Sequence, residues 1–93
     1  MVIASITWDL HLPGCSSLKE KRSVLRSLRD RLRNKFNVSV AETAFQNMHQ
    51  RAQLTAALVT PDGKFAESVL DKIDGFVDER GGALILSVRR GIH

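Results

Sequence analysis

Hydrophobic and polar residues alternate in four segments of the chain, and two longer segments follow a different period. Alternation with a period of two predicts β-strands that bury one face. Four segments have it: residues 2–12, 36–41, 52–60 and 83–90. In segments 18–35 and 64–80 the apolar residues recur every three or four positions, which predicts amphipathic helices.

Cap and turn residues mark the ends of these elements. Ser17 followed by Glu20 fits a capping box at the start of the first helix. Pro, Asp and Gly at 61–63 predict a turn before the second helix, and Gly81 and Gly82 fit its C-terminal cap. The resulting order, β-α-β-β-α-β, predicts a ferredoxin-like α+β sandwich. Its four-stranded antiparallel sheet would carry both helices on one face.

The other face of this predicted sheet has no covering helix. In the last strand the alternation predicts that Leu84, Leu86 and Val88 point to the core, with Ile85 and Arg89 outward. The outward positions of the other strands are mostly Ser, Thr, Ala and aliphatic residues, and the single Trp points inward. RNA-recognition domains stack bases on aromatic residues of the central strands. That mode of RNA binding is therefore not expected.

Length and composition fit one small globular domain, predicted to span residues 1–93. Of the 93 residues, 43% are hydrophobic and 26% are charged, both ordinary fractions for a globular protein. A single cysteine excludes an internal disulfide. The N-terminal segment lacks the basic start of a secretory signal, and no apolar run approaches the length of a membrane span. We therefore expect a cytoplasmic protein that does not contact membranes.

Charge is divided unequally between the two predicted helices, although the net charge of the chain is only +4. Residues 17–35 hold eight basic and two acidic residues, whereas residues 62–80 hold three basic and six acidic ones. Five of the basic residues recur at steps of three and four and are termed the basic row: Lys19, Arg22, Arg26, Arg29 and Arg33. At about 100° per residue they share one side of the helix, next to the apolar stripe.

Two interpretations of the basic row are open at this point. Arginine side chains along one helix face suit a phosphate backbone, because each guanidinium can bind phosphate with two N–H donors. Alternatively, the row is solvated, or it pairs with the acidic helix of the same molecule or of a neighbour. Lys21 is a separate case, because its position lies inside the apolar stripe. Either its amine extends past the core to solvent, or the amine is buried and binds an anion.

No catalytic, metal-binding or cofactor-binding motif is present in the sequence. His11, His49 and His93 are far apart and have no Cys or carboxylate at ligand spacing. Cys15 precedes a predicted helix N-terminus, where a thiolate is favoured, but no base is adjacent. Asp9 and His11 share a face of the first strand, yet a flat sheet face offers no pocket. We therefore predict no enzyme activity, no metal site and no cofactor.

Three motifs carry a resemblance to a known family. They are Ser-Leu-Lys-Glu-Lys-Arg at 17–22, Arg-Asn-Lys-Phe-Asn-Val-Ser-Val-Ala-Glu at 33–42 and Gln-Arg-Ala at 50–52. In these motifs the chain resembles the YlxP-like family of small bacterial proteins. The resemblance implies a ferredoxin-like fold and a gene neighbourhood of translation and ribosome-maturation factors, but no catalytic residues. Where that family often has Asp and Trp before the last motif, this chain has Asn47 and His49.

The function predicted from the sequence is a non-enzymatic RNA-binding or ribosome-associated module that uses its basic first helix. The residues predicted to contact RNA are Lys19, Arg22, Arg26, Arg29, Arg33 and Arg51. The alternative is a protein-interaction or oligomerisation module that docks through the open sheet face or the oppositely charged helices. The expected partners are accordingly RNA, the ribosome or a further copy of the chain.

Overall fold

The fold follows the predicted order of elements. The computed structural model describes residues 1–80 and 82–93. Its elements are β1 (Val2–His11), α1 (Leu18–Lys35), β2 (Ser39–Ala44), β3 (Arg51–Thr60), α2 (Gly63–Arg80) and β4 (Leu84–Ile92). The strands form one antiparallel sheet in the order β2-β3-β1-β4. The predicted ferredoxin-like α+β fold is confirmed. No helix in this part of the chain is long and apolar enough to span a membrane.

The core lies between the sheet and the two helices. Alternate residues of β1 and β3 point into it, so Trp8 and Leu54 are almost fully buried. The apolar stripes of α1 and α2 pack on the same face of the sheet, with Leu32 and Ile73 at their centres. Trp8 Nε1 donates a 3.0 Å hydrogen bond to Asp74 Oδ1. The one polar atom of this buried indole therefore has a partner.

Helix α1 begins at the predicted cap but departs from a full capping box. Ser17 Oγ accepts a 3.2 Å hydrogen bond from the backbone N–H of Glu20. The Glu20 carboxylate binds Ser16 instead of Ser17, accepting from its N–H and its hydroxyl, both at 2.9 Å. The bond from the Ser16 N–H is the main reason that the pKa of Glu20 lies below its ordinary value.

The second strand begins later than predicted. Phe36 ends α1 with an extended backbone, and its N–H donates to the Leu32 carbonyl at 2.8 Å. Phe36 and Val38 pack against the core, whereas pairing with β3 begins only at Ser39. The alternation at the start of this segment therefore reflects packing next to the helix end and not a strand.

The register of β4 differs from the prediction because of a β-bulge at Leu86. Ser87 lies opposite Asp9, but Ile85 lies opposite Leu10, so one extra residue is inserted between the two pairs. The insertion reverses the alternation, and Ile85 packs against the core while Leu86 is exposed. The predicted orientations of three residues are wrong for this reason: Leu84, Ile85 and Leu86.

One of the two predicted cap residues at the end of α2 is described and has a backbone conformation that fits a cap. Gly82 has a φ of 67°, in the left-handed region that glycine adopts without strain. Such a residue ends helices by turning the chain away from the helix axis. The other predicted cap residue, Gly81, lies outside the described residues.

Candidate functional site

The basic row lies on one accessible side of α1. Four of its members are exposed and make no ion pair with the described part of the chain: Lys19, Arg22, Arg26 and Arg33. Arg29 is half-buried, and its Nε lies 3.6 Å from Asp30 Oδ1. Most of the charge of the row is therefore available to a partner.

The row faces the β2 edge of the sheet and not the acidic helix. Arg22, Arg26 and Arg29 line a cleft together with side chains of β2 and β3. Contact with α2 occurs on the other side of α1, where Lys35 Nζ lies 5.2 Å from the ring centroid of Phe76. Within the described part of the chain, the row therefore makes no ion pair with α2.

Three of the five carboxylates of α2 are instead bound by an arginine of β4. Arg90 Nη1 lies 2.8 Å from Asp71 Oδ1 and 3.6 Å from Glu67 Oε2, and its Nη2 lies 3.8 Å from Asp74 Oδ2. Strands β2 and β4 are the two edges of the sheet. The basic face of α1 and this acidic face of α2 thus lie toward opposite edges of the molecule.

Three arginines of the row converge on a shallow cleft between α1 and β2. The cleft has a volume of about 150 Å³ and is lined by Arg22, Leu25, Arg26, Arg29, Glu42 and Leu54. Leu25 and Leu54 are buried and form its apolar floor. Three arginines and one carboxylate residue therefore contribute to the lining of the same space.

Lys21 neutralises that carboxylate from inside the core. Only 1% of its side chain is exposed, and its Nζ lies 2.7 Å from Glu42 Oε2. The same amine donates to the backbone carbonyls of Phe45 and Met48 at 2.6 and 2.7 Å. The ammonium group thus makes two hydrogen bonds to backbone carbonyls and one close ion pair with Glu42. Of the two interpretations of Lys21, the buried amine that serves an anion is confirmed, and the anion belongs to the protein.

Glu42 is the last residue of the motif at 33–42, but no contact is predicted for it from the sequence, although a signal for one exists. Lys21 breaks the apolar stripe of α1, and Glu42 follows Val40 on the core-facing side of β2, opposite Leu54. A buried charge requires a partner of opposite sign. Lys21 and Glu42 have opposite charges and both occupy positions where an apolar residue is expected. They are therefore candidates for an ion pair.

Arg51, the sixth residue predicted to contact RNA, lies away from the row. It is paired with His11 at the start of β3, on the sheet face opposite to the helices. Its Cζ lies 4.7 Å from the ring centroid of Phe45. Phe45 has a φ of 63°, uncommon for a residue other than glycine, and its carbonyl is bound by Lys21. Arg51 therefore supports the loop after β2 and does not join the other five residues.

The open face of the sheet is polar at its centre. The hydroxyls of Thr7 and Thr55 lie 3.0 Å apart. Asp9 Oδ1 accepts a 3.2 Å hydrogen bond from Gln53, and Oδ2 accepts one of 3.1 Å from Ser87. The bond from Gln53 is the main cause that lowers the pKa of Asp9. Asp9 is thus an ionised acceptor with its own partners, unlike a general base poised near neutral pH.

Cys15 is buried beside a cavity of about 410 Å³ near the start of α1. The described lining contains one carboxylate, that of Glu20, and no histidine or lysine. Because Glu20 is already bound by Ser16, this lining offers the thiol no free base. Among the described residues, no three His, Cys, Asp or Glu side chains are grouped as metal ligands.

Similarity to known proteins extends over most of the chain. The family model described as "Protein of unknown function (DUF503)" matches residues 3–90. The "Uncharacterized protein YlxP" of Bacillus subtilis (strain 168) is 40% identical over 62 residues, which are 67% of each chain. The resemblance carried by the three sequence motifs is confirmed by both matches.

Solved structures with this fold differ widely from the chain in sequence. Protein YJCS superposes with a TM-score of 0.59 and 11% identity over 96% of both chains. The designed protein Ferredog-Diesel has a TM-score of 0.53 and 10% identity over 96% of this chain and 83% of its own. At3g17210 from Arabidopsis thaliana has a TM-score of 0.53 and 11% identity over 98% of this chain and 92% of its own. At such identities the likeness concerns the fold alone.

Proposed function

We propose that this protein binds RNA or the ribosome through the basic row and is not an enzyme. The chain belongs to the DUF503 family, a family of proteins of unknown function. The supporting observation is that four of the five exposed or half-exposed charges of the row have no ion pair with the described residues. Like charges at steps of three and four repel one another along a helix. An anionic partner offsets that repulsion.

Phosphate is the anion that best fits the row. Four of its five members are arginine, whose planar guanidinium binds two phosphate oxygens at once. Successive members lie about one helical turn apart, or about 5.4 Å along the axis, so the row can reach several phosphates of one strand. Binding of this kind releases counterions from the nucleic acid, and its affinity therefore falls as the salt concentration rises.

The proposed contacts are to the RNA backbone and not to the bases. Phosphate contacts position a protein but carry no sequence information. The outward positions of the described strands offer no aromatic side chain for base stacking, because Trp8 lies in the core. Weak sequence preference is therefore part of the proposal.

The proposal also includes a cytoplasmic location and the absence of a required cofactor or metal. RNA and ribosomes are present in the cytoplasm, and backbone contacts by arginine need neither a metal ion nor an organic group. Binding should therefore persist when a chelator is added.

The test is binding of RNA and of ribosomal subunits across a salt series, with two variants of equal net charge. Arg22→Glu/Arg26→Glu reverses two exposed members of the row, and Lys64→Glu/Lys72→Glu reverses two exposed lysines of α2 as the matched control. We expect the affinity of the row variant to fall at least about tenfold, because one hydrogen bond to a charged group typically contributes about a factor of ten or more to affinity. The control should bind like the wild type.

Two results would contradict the proposal. An equal loss in both variants would show that only the net charge of the protein matters. No binding to either target at low salt would exclude the row as an RNA-binding surface. Circular dichroism of both variants establishes that they are folded before binding is compared.

The second candidate, a protein-interaction or oligomerisation module, has one observation in its favour. Ile3 and Val59 lie directly opposite each other on the open sheet face and are 41% and 67% exposed. Adjacent exposed aliphatic side chains are common where proteins associate. This surface becomes the leading candidate if the RNA-binding experiment fails.

A further inference from the structure

We infer that the cleft between α1 and β2 is a binding site for a single phosphate group, an inference that rests on the proposed function when that phosphate belongs to RNA. Arg22, Arg26 and Arg29 line the cleft. Each guanidinium carries five N–H donors and no acceptor. Among the described residues these three have one ion contact, the 3.6 Å approach of Arg29 to Asp30. The cleft therefore gathers unused donors at one point of the row.

Arg29 contributes an unsatisfied donor to this site. Its Nε is buried and has no hydrogen-bond partner in the described part of the chain. The Asp30 oxygen at 3.6 Å is too distant for a hydrogen bond. A buried N–H without an acceptor is unfavourable. A phosphate oxygen that reaches this guanidinium supplies the missing acceptor.

The single carboxylate of the lining does not oppose an anion. Glu42 Oε2 lies 2.7 Å from the buried Lys21 ammonium, so the pair is neutral as a whole, although this oxygen is buried and accepts no hydrogen bond from the described residues. The ammonium is held in place by the carbonyls of Phe45 and Met48. Among the described residues, the local charge is therefore that of the three arginines, reduced by Asp30 next to Arg29.

The volume of the cleft limits what can enter it. Its volume is about 150 Å³. Sites for drug-sized ligands usually exceed about 300 Å³. A phosphate group fits such a space, and the rest of a bound strand would extend out of the open side of the cleft. The ligand is a backbone phosphate of RNA or a free phosphate, which share this chemistry.

The test compares two arginines of the same row that differ in whether they line the cleft. Arg26→Gln removes a cleft guanidinium, and Arg33→Gln removes the same charge from an exposed position outside it. Arginine side-chain NMR signals of the full chain are followed during titration with inorganic phosphate and, separately, with a short uridine oligonucleotide. We expect Arg26→Gln to weaken binding of both probes about tenfold. Arg33→Gln should leave binding of inorganic phosphate unchanged.

The outcomes separate this inference from the proposed function. If Arg26→Gln leaves binding of inorganic phosphate unchanged, or if inorganic phosphate shifts the Arg33 signal as much as the cleft arginines, the cleft is not a site although RNA binding by the row stands. If phosphate binds saturably and Arg26→Gln abolishes it, but RNA does not bind, the cleft is a free-phosphate site and the proposed function is wrong. Weaker binding of both ligands by Arg26→Gln, with binding of inorganic phosphate unchanged in Arg33→Gln, supports both.

Discussion

Lys21 is the residue that connects the phosphate cleft to the rest of the core. A buried charge is tolerated only when it is paired and hydrogen-bonded. Lys21 meets both conditions through Glu42 and the carbonyls of Phe45 and Met48. Those contacts join α1 to β2 and to the loop that follows β2. One amine therefore positions the carboxylate of the cleft and holds the left-handed backbone of Phe45.

Replacement of Lys21 by methionine tests how much this contact stabilises the fold. Methionine retains apolar bulk, but it leaves Glu42 and two carbonyls without their donor. We expect Lys21→Met to lower the free energy of unfolding by about 3 kcal/mol, near the low end for a buried pair because 22% of the Glu42 side chain is exposed. Urea denaturation measures the change.

The control for this prediction lies two residues earlier in the same helix. Lys19 is exposed and unpaired within the described chain, so Lys19→Met should change stability by less than about 0.5 kcal/mol. If Lys21→Met costs less than about 1 kcal/mol, the amine is not important for the fold.

At the scale of elements, α1 combines an apolar stripe with a basic row on adjacent sides. The stripe packs on the sheet, so the helix is stabilised by burial and not by its charges. The eight basic residues in it add repulsion that burial must exceed. The N-terminal cap is one local contribution that favours the helix.

Removal of this cap should be measurable. Ser17 Oγ accepts from the Glu20 N–H, and Ser17→Ala leaves that donor without its partner. We expect a loss of about 1 kcal/mol in the free energy of unfolding, measured by urea denaturation. Ser27→Ala, at an exposed position inside the same helix, is the control and should be neutral or slightly stabilising because alanine favours helix. Equal losses in the two variants would show that the cap has no special role.

At the scale of the whole molecule, the charges that stabilise the fold are separate from those left free. Arg90 binds three carboxylates of α2 at the β4 edge. The row lies toward the β2 edge and makes one long ion contact with the described residues. The contacts of Arg90 are expected to stabilise the folded state. The charges of the basic row are expected to destabilise it until an anion binds.

This separation predicts opposite effects of two arginine substitutions on stability. Arg26→Gln should raise the free energy of unfolding at low salt by a few tenths of a kcal/mol, because it relieves repulsion within the row. Arg90→Gln should lower it by about 0.5–1 kcal/mol, a small value because Arg90 and its partners are partly exposed. Urea denaturation at low and high salt should show both effects shrinking as salt screens the charges. If Arg26→Gln destabilises the protein, the row contributes to folding and its charges are not free.

Most of the fold could be predicted from periodicity alone. Residues 18–35 are predicted as a helix and form α1 over the same span, because a long apolar repeat of three and four has only one conformation with a single apolar side. Shorter patterns were less reliable. Phe36 and Val38 alternate without pairing in β2, and the bulge at Leu86 reverses the pattern of β4. In both cases a residue's environment depends on neighbours distant in sequence.

The candidate site shows the same division. The sequence by itself determined the order of the elements, the angle of the basic row around α1 and the unusual placement of Lys21, because these follow from local spacing. Only the tertiary structure decided that the row faces β2, that Glu42 pairs with Lys21 and that Arg90 binds the acidic helix. The spacing of residues determines on which side of a helix each side chain lies. The order of the strands determines which element that side faces. That packing determines which charges are neutralised within the protein and which remain for a partner.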